Sequence, residues 1–88
     1  MIVAFYPTAW DDYLEWAERD RKLFKRINAL IRECQRHPFE GTGKPEPLKR
    51  NLVGFWSRRI DREHRLVYRV VGEGAGQTLE IAQCRFHY

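Results

Sequence analysis

The sequence is poor in cysteine, has no long apolar run and shows no spacing typical of a metal site, and each absence excludes a class of protein. Cys34 and Cys84, its only cysteines, lie far apart and match neither a disulfide framework nor a zinc or redox motif. No segment approaches the ~20 apolar residues of a membrane span, and the apolar run at residues 1–6 is too short for a signal peptide. We therefore expect a cytoplasmic protein with no membrane partner, no metal and no cofactor.

The composition favours one small folded domain. Of the 88 residues, 43% are hydrophobic and 14% are aromatic, which is enough apolar surface to offset the entropy of ordering the chain. A chain of this length buries only about 60% of its unfolded surface, so it can build one core. We predict a single domain spanning residues 1–88.

Positive charge is concentrated in one part of the chain. The formal net charge is +4, yet residues 44–69 alone carry eight basic and three acidic side chains, a net charge of +5. The basic residues are Lys44, Lys49, Arg50, Arg58, Arg59, Arg62, Arg65 and Arg69. Such clustering is typical of a phosphate-binding surface, although a solvated face of a basic protein has the same pattern. Charge alone therefore indicates an anionic partner without identifying it.

The first half of the chain predicts a strand followed by two helices. Residues 2–6 are rich in strand-forming side chains and precede Pro7. Residues 8–11 have the form of a capping box that begins the first helix, and Asp20 can cap the second. The second helix carries one apolar stripe, formed by Leu23, Ile27, Leu30, Ile31 and Cys34. It ends before Pro38, and we expect both helices to be scaffold.

The second half predicts a loop and three antiparallel strands. Glycine and proline exclude regular structure from residues 39–47, and strands follow at residues 52–60, 64–71 and 79–85. A glycine-rich loop at residues 72–77 joins the last two strands. This β-α-α-β-β-β order predicts an α+β fold, in which two N-terminal helices pack on one face of a twisted, mainly antiparallel sheet of four to five strands. The other face would stay partly open.

Three kinds of side chain on this framework suit cleavage of RNA through the ribose 2′-hydroxyl. That reaction needs a base for the 2′ proton, a cation for the charge on the phosphate and an acid for the departing 5′ oxygen. Glu46 lies between two prolines that restrict its backbone. Arg65 projects from the open face, and Arg58 or Arg59 projects from the neighbouring strand. His87 carries an imidazole, which exchanges protons near neutral pH.

Each of these residues also has a common structural explanation. A glutamate in a loop is usually solvated, and residues near a chain end often fray. The aromatic side chains near the basic segment could stack on bases, but they fill the core as often. Taken one by one, the residues leave both interpretations open.

Several stretches of the sequence closely resemble the YoeB (also called Txe) family within the RelE superfamily. They are WDDY at residues 10–13, PFEGTGKPEPL at 38–48, GFWSRRI at 54–60, EHRLVY at 63–68 and the terminal HY at 87–88. They occur in the same order over nearly the whole chain. The resemblance implies a RelE-like fold and the toxin half of a type II toxin–antitoxin pair.

The resemblance also implies an activity and partners. Toxins of this family are ribosome-dependent endoribonucleases that cut messenger RNA in the ribosomal aminoacyl site and so inhibit translation. The expected products are a 2′,3′-cyclic phosphate, or its hydrolysed 3′-phosphate, beside a 5′-hydroxyl end. The implied partners are the ribosome, messenger RNA and a cognate antitoxin of the YefM or Axe type, with a homodimer as a further candidate assembly.

Matching residues to the family assigns roles by position. The resemblance implies that Glu46 is the general base, Arg65 the phosphate-stabilising cation and His87 the general acid. Arg59 would assist at the phosphate, and Tyr88 would position the substrate base or the acid. The remaining substrate-binding positions are Lys49, Arg50 and Arg58.

Two departures from the family pattern and two rival functions remain at this point. Phe86 stands where the family more often has tyrosine, and the loop at residues 72–77 is longer and richer in glycine. One rival is an RNA-binding module that blocks translation by occupancy alone. The other is a protein-interaction module for an acidic or amphipathic partner, which is compatible with nuclease activity.

Overall fold

The computed structural model describes residues 1–87 and consists of two helices and a five-stranded sheet. The helices are α1 (Pro7–Arg19) and α2 (Arg21–Arg36). The strands are β1 (Ile2–Phe5), β2 (Glu46–Pro47), β3 (Trp56–Arg59), β4 (Arg65–Val71) and β5 (Thr78–Gln83). Single 3-10 turns at Arg50–Leu52 and Gly74–Gly76 precede β3 and β5.

The strands lie in the order β1-β5-β4-β3-β2. Strands β2 to β5 pair with antiparallel neighbours, while β1 pairs with β5 in parallel. The predicted α+β fold with a mainly antiparallel sheet is confirmed. The two-residue β2 is an addition to the predicted order, and it lies at the sheet edge, where Pro47 needs no further backbone partner.

The helices pack on one face of this sheet. The core joins alternate residues of the strands, among them Leu66, Tyr68, Leu79 and Ile81, to the apolar stripe of α2. The whole predicted stripe is buried: Leu23, Ile27, Leu30, Ile31 and Cys34. Since the core accounts for one face of each strand, the alternate residues face away from the helices.

The two helices begin in different ways. In α1, Pro7 occupies the first turn, Tyr6 is the N-cap, and no side chain caps the helix. The predicted capping box at residues 8–11 is therefore wrong, because those residues already lie inside a helix that proline begins. The predicted cap of α2 is confirmed, since the Asp20 carboxylate accepts the Leu23 backbone N–H at 3.0 Å.

Within residues 1–87, no helix has the length and apolar character to cross a membrane.

Strand β3 is shorter than the predicted strand at residues 52–60. Gly54 has a φ of +97°, which takes the backbone out of the extended region. The Leu48 N–H donates to the Phe55 carbonyl at 2.9 Å. Residues 48–55 thus form the connection of a hairpin that pairs β2 with β3. This hairpin brings Glu46 onto the edge of the sheet.

Candidate active site

The pairing register places Glu46, Arg59 and Arg65 on one face of the sheet. Glu46 lies opposite Ser57 on β3, and Ser57 lies opposite Val67 on β4. Two residues further along, Arg59 lies opposite Arg65. Opposed residues point to the same face, as do residues two apart on one strand. These side chains therefore share the face away from the helices, and strand spacing puts the Cα atoms of Glu46 and Arg65 roughly 12 Å apart.

Arg59 and Arg65 are directly opposed across two strands. Like charges in this position repel one another. Nη1 of Arg65 donates to the carbonyl oxygens of Asp61, at 2.8 Å, and His64, at 3.0 Å, so its guanidinium is held in place. A cation pair that costs stability on an open face is typical of a site that binds an anion.

Arg58 has a structural role, and its predicted contact with substrate is wrong. Its side chain is fully buried, because alternation along β3 turns it towards the helices. Nε donates to the Tyr68 hydroxyl at 3.2 Å and Nη1 to the Thr42 carbonyl at 3.0 Å. Nη2 donates to the carbonyls of His37, at 2.5 Å, and Glu40, at 2.7 Å. Arg58 therefore fastens the loop between α2 and β2 to the sheet.

Further bonds fix the same loop from both sides. The Glu33 carboxylate accepts the Thr42 N–H at 2.9 Å and lies 3.3 Å from Nη1 of Arg58. The Thr42 hydrogen bond, helped by the nearby guanidinium, holds the pKa of Glu33 below its ordinary value. The Gly43 carbonyl accepts the Arg59 N–H at 2.6 Å, and a Cβ on Gly43 would lie 3.0 Å from the Arg59 carbonyl. The loop that leads to Glu46 is therefore held by hydrogen bonds to both α2 and β3.

Lys49 and Arg50 lie in the connection between β2 and β3, and both are exposed. Arg50 has a φ of +58°, and a non-glycine residue in this left-handed region costs about 1–3 kcal/mol. Such strain occurs most often at functional sites. Their position beside Glu46 is compatible with the predicted contacts to RNA, which remain a prediction.

After β5, the C-terminal residues run alongside the start of β4, next to Arg65. The Arg65 N–H donates to the Phe86 carbonyl at 3.0 Å, and the Phe86 N–H donates to Nδ1 of His64 at 2.7 Å. His87 is exposed and lines a cleft of about 400 Å³ between α1 and the end of β5, which also includes Asp12 and Gln83 but none of Glu46, Arg59 and Arg65. The candidate acid thus follows directly on a residue that is hydrogen-bonded to the candidate cation. The C-terminal tail comprises residues 84–88. Its other predicted site residue, Tyr88, lies outside the described residues.

Arg85 ties the start of this tail to α1. Its Nη1 atom lies 3.6 Å from the Asp12 carboxylate and 3.5 Å from that of Glu15. Its guanidinium lies 4.7 Å from the ring centre of Phe86 and 5.7 Å from that of Trp16. The tail is therefore held by charge and ring contacts as well as by its backbone.

Arg26 was not predicted as a site residue, yet it borders the open face. From α2 it donates to the carbonyls of Ile60, at 3.3 Å, and Arg59, at 3.2 Å. With Arg59, Arg62 and Arg65 it lines a cleft of about 520 Å³. Nothing in the helical pattern distinguishes Arg26 from a solvated residue, because its position depends on how α2 crosses the sheet.

The cysteines belong to the core. Burial raises the pKa of the Cys84 thiol to about 12 and raises that of Cys34 as well, so neither is suited to act as a nucleophile. Among residues 1–87, no group of three or more histidine, cysteine, aspartate or glutamate side chains is placed to hold a metal ion.

Comparison with known proteins gives consistent results. A model of the YoeB-like toxin of bacterial type II toxin–antitoxin systems matches residues 5–88. The toxin YoeB of Escherichia coli K12 is 60% identical over 88 residues, which cover both chains completely. The YoeB toxin of Synechocystis is 56% identical, with 100% of this chain and 98% of that protein covered.

Solved structures agree with the sequence comparisons. A YoeB/ParE toxin from Agrobacterium tumefaciens superposes with a TM-score of 0.97 at 53% identity, and both chains are fully covered. A YoeB chain from a YoeB–YefM complex of Staphylococcus aureus gives a TM-score of 0.88 at 43% identity, covering 100% of this chain and 98% of that one. Sequence and fold lead to the same assignment: the chain belongs to the YoeB family of toxins of bacterial type II toxin–antitoxin systems.

Proposed function

We propose that the protein is an endoribonuclease that cleaves messenger RNA in the aminoacyl site of the ribosome and thereby inhibits translation. The observation that carries this proposal is the strand register, which brings a carboxylate and two guanidinium groups to one face of the sheet. The tail that bears His87 is hydrogen-bonded to the same strand through Phe86. These are the groups that cleavage through the 2′-hydroxyl requires.

In the proposed reaction each group has one task. Glu46 accepts the proton of the ribose 2′-hydroxyl, and the 2′ oxygen forms a bond to phosphorus. Arg65, assisted by Arg59, stabilises the extra negative charge on the pentacoordinate phosphate. His87 gives its proton to the 5′ oxygen as the bond from phosphorus to that oxygen breaks. The products are a 2′,3′-cyclic phosphate and a 5′-hydroxyl end.

The surroundings of these groups suit a polyanionic substrate. Lys49 and Arg50 are exposed on one side of Glu46, and Arg26 and Arg62 line the cleft beside Arg65. Contacts from such side chains to RNA phosphates hold the strand while carrying no sequence information themselves. We propose that they bind messenger and ribosomal RNA, and that Tyr88 positions the base or the acid.

We propose that a YefM-type antitoxin is the cognate protein partner. The Staphylococcus aureus relative has been solved both in a YoeB–YefM complex and as a YoeB dimer. An antitoxin segment with carboxylate side chains would complement the guanidinium groups on the open face and cover the site. Because the Staphylococcus aureus relative also forms a dimer, we propose a homodimer as a further assembly.

Primer extension on translating messenger tests the proposed activity. Adding the protein to a reconstituted translation system is expected to produce discrete cuts, each with a 5′-hydroxyl downstream end. The same messenger without ribosomes should stay intact. Stalled but uncut messenger would contradict the proposal and support inhibition by occupancy. Cuts of equal strength without ribosomes would contradict the ribosome dependence.

The variant Arg65→Lys tests the role of the cation. It keeps the positive charge but loses the planar, two-pronged donor and the hydrogen bonds of Nη1 to the carbonyls of Asp61 and His64. We expect cleavage to slow by at least about tenfold, because a lysine ammonium is not held in the same place. Single-turnover rates measure this, with Arg21→Lys, at an exposed residue of α2, as the matched control. An unchanged rate for Arg65→Lys would show that Arg65 is only structural.

A further inference from the structure

The side chain of His64 contacts the C-terminal tail at the backbone N–H of Phe86. Its ring is almost fully buried, packed edge-on against Trp16 with ring centres 4.9 Å apart. Its backbone is fixed by the turn before β4, where its N–H donates to the Asp61 carboxylate at 2.7 Å. The imidazole is therefore held by α1 and by the turn, and its ring also packs against that of Phe86, with ring centres 5.8 Å apart.

The hydrogen bond between His64 and the tail has a definite direction. The Phe86 backbone N–H lies 2.7 Å from Nδ1 of His64, and a backbone N–H can only donate. Nδ1 must then be the acceptor, which leaves the proton of the neutral ring on Nε2. Nε2 faces the Glu63 carboxylate at 3.8 Å. A side chain without an acceptor at the Nδ1 position would leave this N–H unpaired.

The backbone that this bond holds is strained. Phe86 has a φ of +62°, a left-handed conformation that residues other than glycine seldom adopt. Such a residue keeps its conformation only where surrounding bonds impose it. Here His64 binds the Phe86 N–H and Arg65 binds the Phe86 carbonyl. Adjacent residues of the turn and β4 thus clamp both sides of Phe86, and His87 is the next residue.

We propose that His64 is a positioning residue, whose Nδ1 atom fixes the backbone of Phe86 and thereby the point from which His87 extends. This proposal rests on the proposed nuclease function, in which His87 is the acid. His64 does not touch the reacting atoms and acts only through the tail. The sequence alone indicates only that His64 is a histidine in a turn, with no sign of a contact to the C-terminal tail.

A matched pair of variants isolates the acceptor. Asparagine and leucine have nearly the same branched shape, and both lose the ring contact with Trp16, but only asparagine places an oxygen near the position of Nδ1. In His64→Asn we expect the Phe86 amide to stay protected. In His64→Leu we expect its hydrogen exchange to accelerate by at least about fivefold relative to His64→Asn. Amide NMR of the free protein measures this exchange and the order of the His87 backbone without any RNA.

The same pair gives a kinetic readout. We expect kcat for messenger cleavage to fall roughly 10- to 100-fold in His64→Leu, with KM changed less than about threefold, because the acid is misplaced while the RNA-binding surface is intact. His64→Asn should recover most of this loss. A general loss of folding would instead reduce both variants equally, which thermal unfolding of each would reveal.

Backbone chemistry provides a test that leaves every side chain in place. Cys84 allows a synthetic peptide of residues 84–88 to be ligated to residues 1–83, and the peptide can carry an ester in place of the Phe86 amide. The ester removes the donated N–H, and it also weakens the Arg85 carbonyl as the acceptor of the Gln83 Nε2 hydrogen bond at 2.8 Å, a second effect that Gln83→Leu in the all-amide protein measures by itself. After refolding, we expect it to lose order at His87 and to cleave as slowly as His64→Leu, while the all-amide ligated protein cleaves like the wild type.

The outcomes separate this proposal from the proposed function. If the Phe86 amide and the His87 backbone behave alike in His64→Asn, His64→Leu and the wild type, the positioning role is overturned. The role is also overturned if the tail is released in the leucine and ester proteins yet cleavage keeps its wild-type rate. If the wild type itself cuts no messenger, the nuclease function fails, and the NMR comparison still decides whether His64 holds the tail.

Discussion

Replacing Glu46 by glutamine, or His87 by glutamine, is expected to slow messenger cleavage by about 10²–10⁴-fold. Glutamine keeps the size and polarity of the glutamate but cannot accept the 2′ proton at neutral pH. At position 87 it keeps a hydrogen-bonding group but cannot deliver a proton to the 5′ oxygen. Single-turnover cleavage on programmed ribosomes measures both rates, with protein released from its antitoxin.

Binding and control variants make this result specific. Glu40→Gln removes a carboxylate from an exposed residue of the same loop and should cleave at the wild-type rate. Ribosome binding by Glu46→Gln and His87→Gln should stay within about threefold of wild type, because the other basic side chains that we propose to contact RNA phosphates remain in place. Since base and acid act in one step, the double variant should lose much less than the product of the single losses. Wild-type cleavage by either single variant would remove that residue from the mechanism.

Replacing Arg58 by methionine is expected to destabilise the fold by about 3–5 kcal/mol, as is usual when one partner of a buried charged network is removed. The change leaves the carbonyls of His37, Glu40 and Thr42 and the hydroxyl of Tyr68 without the donor they share. At this chain length the loss corresponds to a drop in Tm of roughly 12–40 °C. Urea unfolding followed by circular dichroism measures it.

Two comparisons show what the loss is due to. Arg62→Met removes the same charge from an exposed residue and should change the free energy of unfolding by less than about 0.5 kcal/mol. Arg58→Lys keeps the charge, but one ammonium cannot follow the planar fork that reaches several carbonyls, so it should recover only part of the stability. A loss below about 1 kcal/mol in Arg58→Met would mean that the loop does not depend on this residue.

The fold was largely predictable because its elements are encoded by local patterns. The apolar stripe of α2, the Asp20 cap and the stop before Pro38 depend on neighbouring residues only. Strand β3 was predicted too long, because hydrophobic periodicity in residues 52–56 does not reveal the left-handed backbone at Gly54. The parallel pairing of β1 with β5 joins the two ends of the chain, and no local pattern encodes a contact of that sequence separation.

The site shows a similar division. Glu46, Arg59, Arg65 and His87 could be nominated from residue type and motif, and the strand register places the first three on one face. Arg58 and Arg59 are neighbours in the same basic segment. Alternation along β3 turns the Arg58 side chain into the core and leaves the Arg59 side chain exposed. Charge counting treats the two arginines alike.

By itself, the sequence determined the class of fold, the basic segment and the types of group available for RNA chemistry, because composition and periodicity act over short distances along the chain. The tertiary structure alone decided which of those groups share a face, which arginine is buried and how His64 and Arg65 clamp the tail at Phe86. These features depend on strand register and on contacts between distant segments. A shift of one residue in register would turn each of these side chains to the opposite face.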